Sequence, residues 1–82
     1  MNHPRPIRLL DAQNQSLVLE FSDSSIRRFD VTALLGYPFF SPLRNPALFA
    51  QAQIAHRTVV WPGDIDIAPE TLWLDSVECP AD

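Results

Sequence analysis

Apolar and polar side chains alternate most cleanly from Ser16 to Ser22, where Leu17, Leu19 and Phe21 fall on one side and Val18, Glu20 and Ser22 on the other. A period of two belongs to a half-buried strand, so Ser16–Phe21 predicts a strand with one face in the core. A strand over residues 5–11 is expected before it, with Ile7 and Leu9 on one face and Arg8 and Leu10 on the other, and Ala12–Gln15 as a polar turn. After it, Ser22-Asp23-Ser24-Ser25 predicts a reversal into a third strand, Ile26–Val31. Serine resists the positive φ that tight hairpin turns demand, so this reversal is expected to be longer than two residues or strained. Ile26 and Phe29 stand three apart, which points to a bulge or to a strand packed on both faces, and Arg27 and Arg28 then project to opposite sides.

Regularity weakens beyond this point. Asp30–Leu35 suits a helical turn capped by Asp30 or Thr32 and closed by a left-handed Gly36. The next segment, Tyr37–Arg44, carries two prolines and predicts an irregular loop anchored by aromatic residues. Asn45-Pro46 opens a helix over Ala47–Gln53, with Leu48 and Phe49 inward. Ile54–Trp61 returns to β character, interrupted by His56-Arg57, and reads as a two-stranded excursion. Pro62-Gly63 breaks it; Ile65 and Ile67 then alternate with Asp64 and Asp66, so the apolar pair can be buried while the carboxylates stay in water. A final helix should start at Pro69, capped by Asp66 or the Ala68 backbone, with Glu70 at its positive end, Leu72 in the core and Trp73 half-buried. The expected fold class is α+β: a small antiparallel sheet of three N-terminal strands plus a later β excursion, packed against short helices. One domain over residues 1–82 is expected, ordered from 5 to 75, with residues 76–82 as a loose tail.

Composition narrows the classes. A hydrophobic fraction of 46% supports a folded chain, and no apolar run reaches the ~20 residues a membrane-spanning helix needs. No apolar h-region follows the charge at the N-terminus, so a cytoplasmic location is expected. The lone Cys79 has no partner for an internal disulfide or a cysteine metal motif. Net charge is −4, distributed unevenly. Residues 1–45 hold five arginines against four acids, whereas residues 46–82 hold Arg57 against six acids. With no lysine in the chain, a broad basic face for nucleic acid is not expected unless Arg5, Arg8, Arg27 and Arg28 gather on one side.

Candidate chemistry is sparse. Asp64 and Asp66, with Glu70 four residues on, are the cluster closest to a divalent-cation site, but alternating carboxylates without further oxygen ligands read better as turn and cap residues. His3 and His56 have no second histidine at helical spacing, and Ser41, Thr58, Thr71 and Cys79 lack a recognisable general-base context. No catalytic residue, cofactor or metal is therefore expected, and the chain reads as non-enzymatic. Tyr37 and Phe39 flank Pro38, and an exposed pair of this kind would anchor a partner.

Leu19-Glu20-Phe21-Ser22-Asp23, Arg28-Phe29-Asp30-Val31, Leu34-Leu35, Phe40, Leu43, Phe49 and above all Val60-Trp61-Pro62-Gly63-Asp64-Ile65-Asp66-Ile67-Ala68-Pro69-Glu70-Thr71-Leu72 together resemble the bacterial domain of unknown function 2442 family, over roughly Ile7 to Trp73. Ser24 departs from the family's usual glycine and Trp73 from its common tyrosine. The resemblance implies a compact α+β domain similar to small accessory proteins of bacterial operons, often encoded beside another small protein in a layout like that of toxin–antitoxin pairs. It brings no catalytic residue. The expectation is a protein-binding module, antitoxin-like or accessory, in which Asp64, Asp66 and Glu70 meet a basic partner and Tyr37, Phe39 or Trp73 supplies the apolar contact. That partner is another small protein, encoded by the adjacent gene, or a second copy of the chain. The alternatives are a nucleic-acid-associated regulator using Arg5, Arg8, Arg27 and Arg28, and a small metal-dependent enzyme at Asp64 and Asp66.

Overall fold

The computed structural model describes residues 3–79. Strands β1 (Pro6–Gln13), β2 (Ser16–Phe21) and β3 (Ile26–Asp30) form an antiparallel meander that β7 (Val77–Glu78) completes, in the order β1-β2-β3-β7. β4 (Gln53–Ala55), β5 (Thr58–Trp61) and β6 (Ile65–Asp66) form a second antiparallel sheet in chain order. Between the sheets in sequence lie two 3₁₀ helices, Val31–Leu34 and Pro38–Arg44, and the single-turn helix α1 (Pro46–Phe49); α2 (Pro69–Leu74) precedes β7. This is an α+β fold of two small sheets and short helices.

Strand β2 keeps the alternation read from its sequence: Leu17, Leu19 and Phe21 are fully buried, while Ser16, Val18 and Glu20 lie on the other face. Opposite them the β1 pattern differs from expectation. Register shifts between Pro6 and Arg8 and between Leu9 and Asp11 mark two bulges. Each bulge inserts one residue, so burial follows Pro6, Leu9 and Ala12, and both Ile7 and Leu10 turn outward with Arg8 and Asp11. The predicted pairing of Ile7 with Leu9 on one face is thus corrected. The bulges lie in β1; β3 pairs with β2 in unbroken register and uses both faces, Phe29 inward and Ile26 outward.

Several turns adopt left-handed backbone without glycine. The β1–β2 turn is Asn14-Gln15 alone (φ 54° and 61°), shorter than the polar turn expected, and His56-Arg57 closes β4–β5 in the same way (φ 53° and 65°). In the β2–β3 reversal Ser24 sits at φ 74°, with its N–H donating to the Phe21 carbonyl at 2.9 Å and Phe21 N–H donating to Ser25 O at 2.8 Å. This is the strained loop that serine in place of glycine implies.

Asp30 caps the first 3₁₀ helix by accepting from Thr32 N–H, as expected, but Leu35 rather than a left-handed Gly36 ends it. Residues 38–44, expected to be irregular, form a 3₁₀ helix: Pro38 occupies its first turn, where a missing N–H costs nothing, and the tighter winding accommodates Pro42. Helix α1 is capped by Asn45 and stops at Phe49, short of the predicted Gln53, which enters β4. The core joins the inward face of β2 to Phe29, Val31, Leu35, Leu43, Phe49, Val59, Trp61, Ile65, Ile67 and Leu72. Within it Trp61 stacks on Phe49 at 5.9 Å and donates its indole N–H to the Phe49 carbonyl at 3.0 Å, which satisfies the polar end of a buried ring.

The loose tail expected from Ser76 is corrected for the described part of that segment. Ser76 is buried, Val77 and Glu78 pair with Arg28 and Arg27, and Cys79 N–H donates to Ile26 O at 2.9 Å. Residues 80–82 of that segment lie outside the described residues.

Candidate partner-binding site

Tyr37 precedes a proline and is therefore held extended (φ −90°, ψ 134°), which aims the chain into the 3₁₀ helix of residues 38–44. Three residues per turn align positions i and i+3, so Phe40 and Leu43 share the inward side and Phe39 and Pro42 share the outward one. Leu43 is fully buried and Phe40 half-buried against the core. Phe39 meets Phe40 edge-to-face, centroids 4.9 Å apart and planes at 86°, so the exposed ring is propped on a buried one. Backbone bonds from Phe40 N–H to Tyr37 O (3.0 Å) and from Tyr37 N–H to Leu34 O (3.0 Å) tie the segment at its start. At its end Arg44 reaches back to donate to Leu35 O at 3.0 Å. The outcome is a braced turn presenting Tyr37 at 61% and Phe39 at 52% exposure.

The acidic residues occupy another region. Asp64 (φ 61°) follows Gly63 (φ 92°) in the β5–β6 turn, Asp66 lies on β6 opposite Val60, and Glu70 is in the first turn of α2; all three are exposed. Of the two caps expected for α2, Asp66 is not used; the N-cap is Ala68, whose carbonyl accepts from Leu72 N–H at 3.2 Å. His56, Asp64 and Asp66 line a shallow groove of about 340 Å³ with Trp61 and Ile65, but among the described residues no three His, Cys, Asp or Glu side chains form a group able to hold a metal ion.

Trp73 is taken up internally. The Arg27 guanidinium stands 4.4 Å from the centre of its ring, and the ring meets Phe21 edge-to-face at 5.2 Å. The same guanidinium donates from Nε to Ser76 Oγ and from Nη2 to Ser76 O, both at 2.7 Å, while Ser76 Oγ donates to Trp73 O at 3.0 Å. Arg27, Trp73 and Ser76 form a clamp that holds α2 and β7 on the sheet. No spacing in the sequence announces it, because its members come from β3 and from the far end of the chain.

The four N-terminal arginines do not share one surface. Arg27 is committed to the clamp on the inward side; Arg8 and Arg28 project outward, with Arg8 3.4 Å from Glu20. Arg5 lines a separate open cleft of about 510 Å³ with His3, Asp23 and Arg57. Among the described residues two carboxyls have lowered pKa values, each from local hydrogen bonding: Asp23 accepts from the Ser25 hydroxyl and N–H, and Asp30 from Thr32. Both serve turns and caps.

The family model for a protein of unknown function, DUF2442, matches residues 9–78. The chain belongs to that family. Neither a curated protein nor a solved structure matches it. The DUF2442 match runs from β1 through β7, so it takes in both sheets and every member of the clamp. No helix among the described residues is long and apolar enough to cross a membrane.

Proposed function

We propose that this DUF2442 chain is a non-enzymatic protein-binding module whose contact centre is Tyr37 and Phe39. The observation that carries the reading is the exposure of two aromatic rings on a proline-braced turn, Phe39 packed edge-to-face on Phe40. Ring area offered at low conformational cost is what binding hot spots use, and the order already present in Phe39 and Phe40 lowers what association must supply. The exposed carboxylates Asp64, Asp66 and Glu70 add negative potential that favours a basic partner and speeds encounter. An accessory role beside the protein encoded next to it, antitoxin-like in layout, fits a small domain with a preformed apolar anchor.

The test is co-expression with the product of the adjacent reading frame, followed by size-exclusion chromatography at low and high salt. A complex is expected at both, and Tyr37→Ser/Phe39→Ser is expected to weaken it at least about 100-fold, since hot-spot aromatics each contribute roughly 2 kcal/mol. Separate elution of the two proteins, or a double variant that binds as well as the parent, refutes the reading.

A further inference from the structure

Among the described residues no helix packs on the outward face of the four-stranded sheet, where Arg8, Asp11, Arg28 and Val77 are exposed; the residues of that face follow from register, because directly opposed cross-strand partners share a face. One row runs Arg8, Glu20, Ile26; the next runs Asp11, Val18, Arg28, Val77; a third runs Gln13, Ser16, Asp30. The bulges add Ile7 and Leu10 to this face, at 50% and 42% exposure, and Val77 stands at 61%. Two bulges that both turn an apolar residue away from the core give this face a hydrophobic content that a plain strand would have split between the two sides.

The charges in the middle row are arranged antisymmetrically. Asp11 and Arg28 lie one strand to either side of Val18, about 10 Å apart and beyond contact with each other. Among the described residues neither forms an ion pair; Arg28 only has Asp30 as a neighbour on its own strand. A two-fold axis laid along β2 carries Asp11 of one copy over Arg28 of the other, twice, and brings Val18 against Val18. It also sets Glu20 facing Glu20, each of these already paired with its own Arg8. Sheets packed face to face keep their strands nearly aligned, which such an axis provides.

We infer that the outward face of β1-β2-β3-β7 is a self-association surface, occupied by a second copy of this chain related by a two-fold axis along β2. The Asp11 to Arg28 contacts set the register, and Ile7, Leu10 and Val18 contribute the apolar area. This surface is separate from the Tyr37 and Phe39 turn and does not depend on the role proposed for it.

Sedimentation equilibrium on the full chain, from about 1 to 500 µM, tests the assignment. A monomer–dimer equilibrium is expected. Asp11→Arg and Arg28→Asp should each raise the dimer Kd by about tenfold or more, because each sets like charges opposite one another. The combined Asp11→Arg/Arg28→Asp chain restores complementary signs and should recover to within a few-fold of the parent. Both positions are exposed, so thermal melts of the variants should stay close to the parent's, and Leu10→Asp provides a loss of dimer by a different route. Tyr37→Ser/Phe39→Ser should leave the dimer intact. A chain that is monomeric across the range, a dimer indifferent to the single swaps, or a double swap that fails to recover overturns the inference.

Discussion

Removing the Arg27 side chain should weaken the hold of α2 and β7 on the sheet and so lower the stability of the whole domain. Arg27→Ala deletes two hydrogen bonds of 2.7 Å to Ser76 and a cation 4.4 Å from the Trp73 ring, and it leaves the buried Ser76 with fewer partners. Charged donors to part-buried acceptors contribute about 1 kcal/mol each here, discounted for solvent access, and the cation–π contact adds about 0.5 to 1 kcal/mol. The loss is then about 2.5 to 3 kcal/mol, a large share of the stability of a domain this size. Urea unfolding followed by tryptophan fluorescence should show a lower midpoint at unchanged slope, and the thermal midpoint should fall by on the order of 10 °C. Arg27→Lys separates the contributions: an ammonium keeps a charge near the ring but cannot reproduce the planar fork, so it should recover less than half of the loss. Ser76→Ala should cost less in the Arg27→Ala background than in the parent, since both remove the bond from Arg27 Nε to Ser76 Oγ. Stability of Arg27→Ala within about 0.5 kcal/mol of the parent, or strict additivity with Ser76→Ala, would refute the clamp.

Two other perturbations act on local backbone and charge. Ser24→Gly should stabilise by about 0.5 to 1 kcal/mol, because the left-handed conformation costs a non-glycine residue about 1 to 2 kcal/mol while glycine adds unfolded-chain entropy; unfolding midpoints measure it, and a drop in stability would mean that Ser24 makes an unseen compensating contact. Asp30 titrates below its ordinary 3.8 because the Thr32 hydroxyl and N–H favour the carboxylate, so its contribution is present above pH 3.8 and is lost as pH falls through the lower folded value. Asp30→Asn keeps an N-cap acceptor but removes the titration, so stability near neutral pH should change little while the decline in acid becomes shallower; an unchanged acid profile would argue against the cap as its source.

Where the chain's information was local, the sequence was enough. Strict alternation over β2 placed Leu17, Leu19 and Phe21 in the core, Asn45-Pro46 marked the start of α1, and serine at position 24 pointed to a longer or strained reversal, found with Ser24 at φ 74°, each through sterics or hydrogen bonding within a few residues. The stretch from Trp61 to Leu72, where the resemblance is most specific, is local in the same way: turn, short strand and helix start are written contiguously, within the matched residues 9–78. Of the candidate site, Tyr37 and Phe39 were legible from their proline context, although the 3₁₀ winding that props them was not, because it depends on Phe40 and Leu43 finding the core.

Tertiary structure alone decided the rest. Bulges in β1 redirected Ile7 and Leu10 outward, since register is settled between strands and a single inserted residue reverses which face follows. Ser76 to Cys79 gained order only because β3 offered an open edge and Arg27 a donor, partners roughly 50 positions away along the chain. Trp73 is half-buried, as its sequence context predicts, but its role as a platform for Arg27 was decided on the same grounds. Periodicity reports which side of an element is apolar; what that side meets is set by residues remote in sequence, whose pairing appears only once the chain has closed on itself.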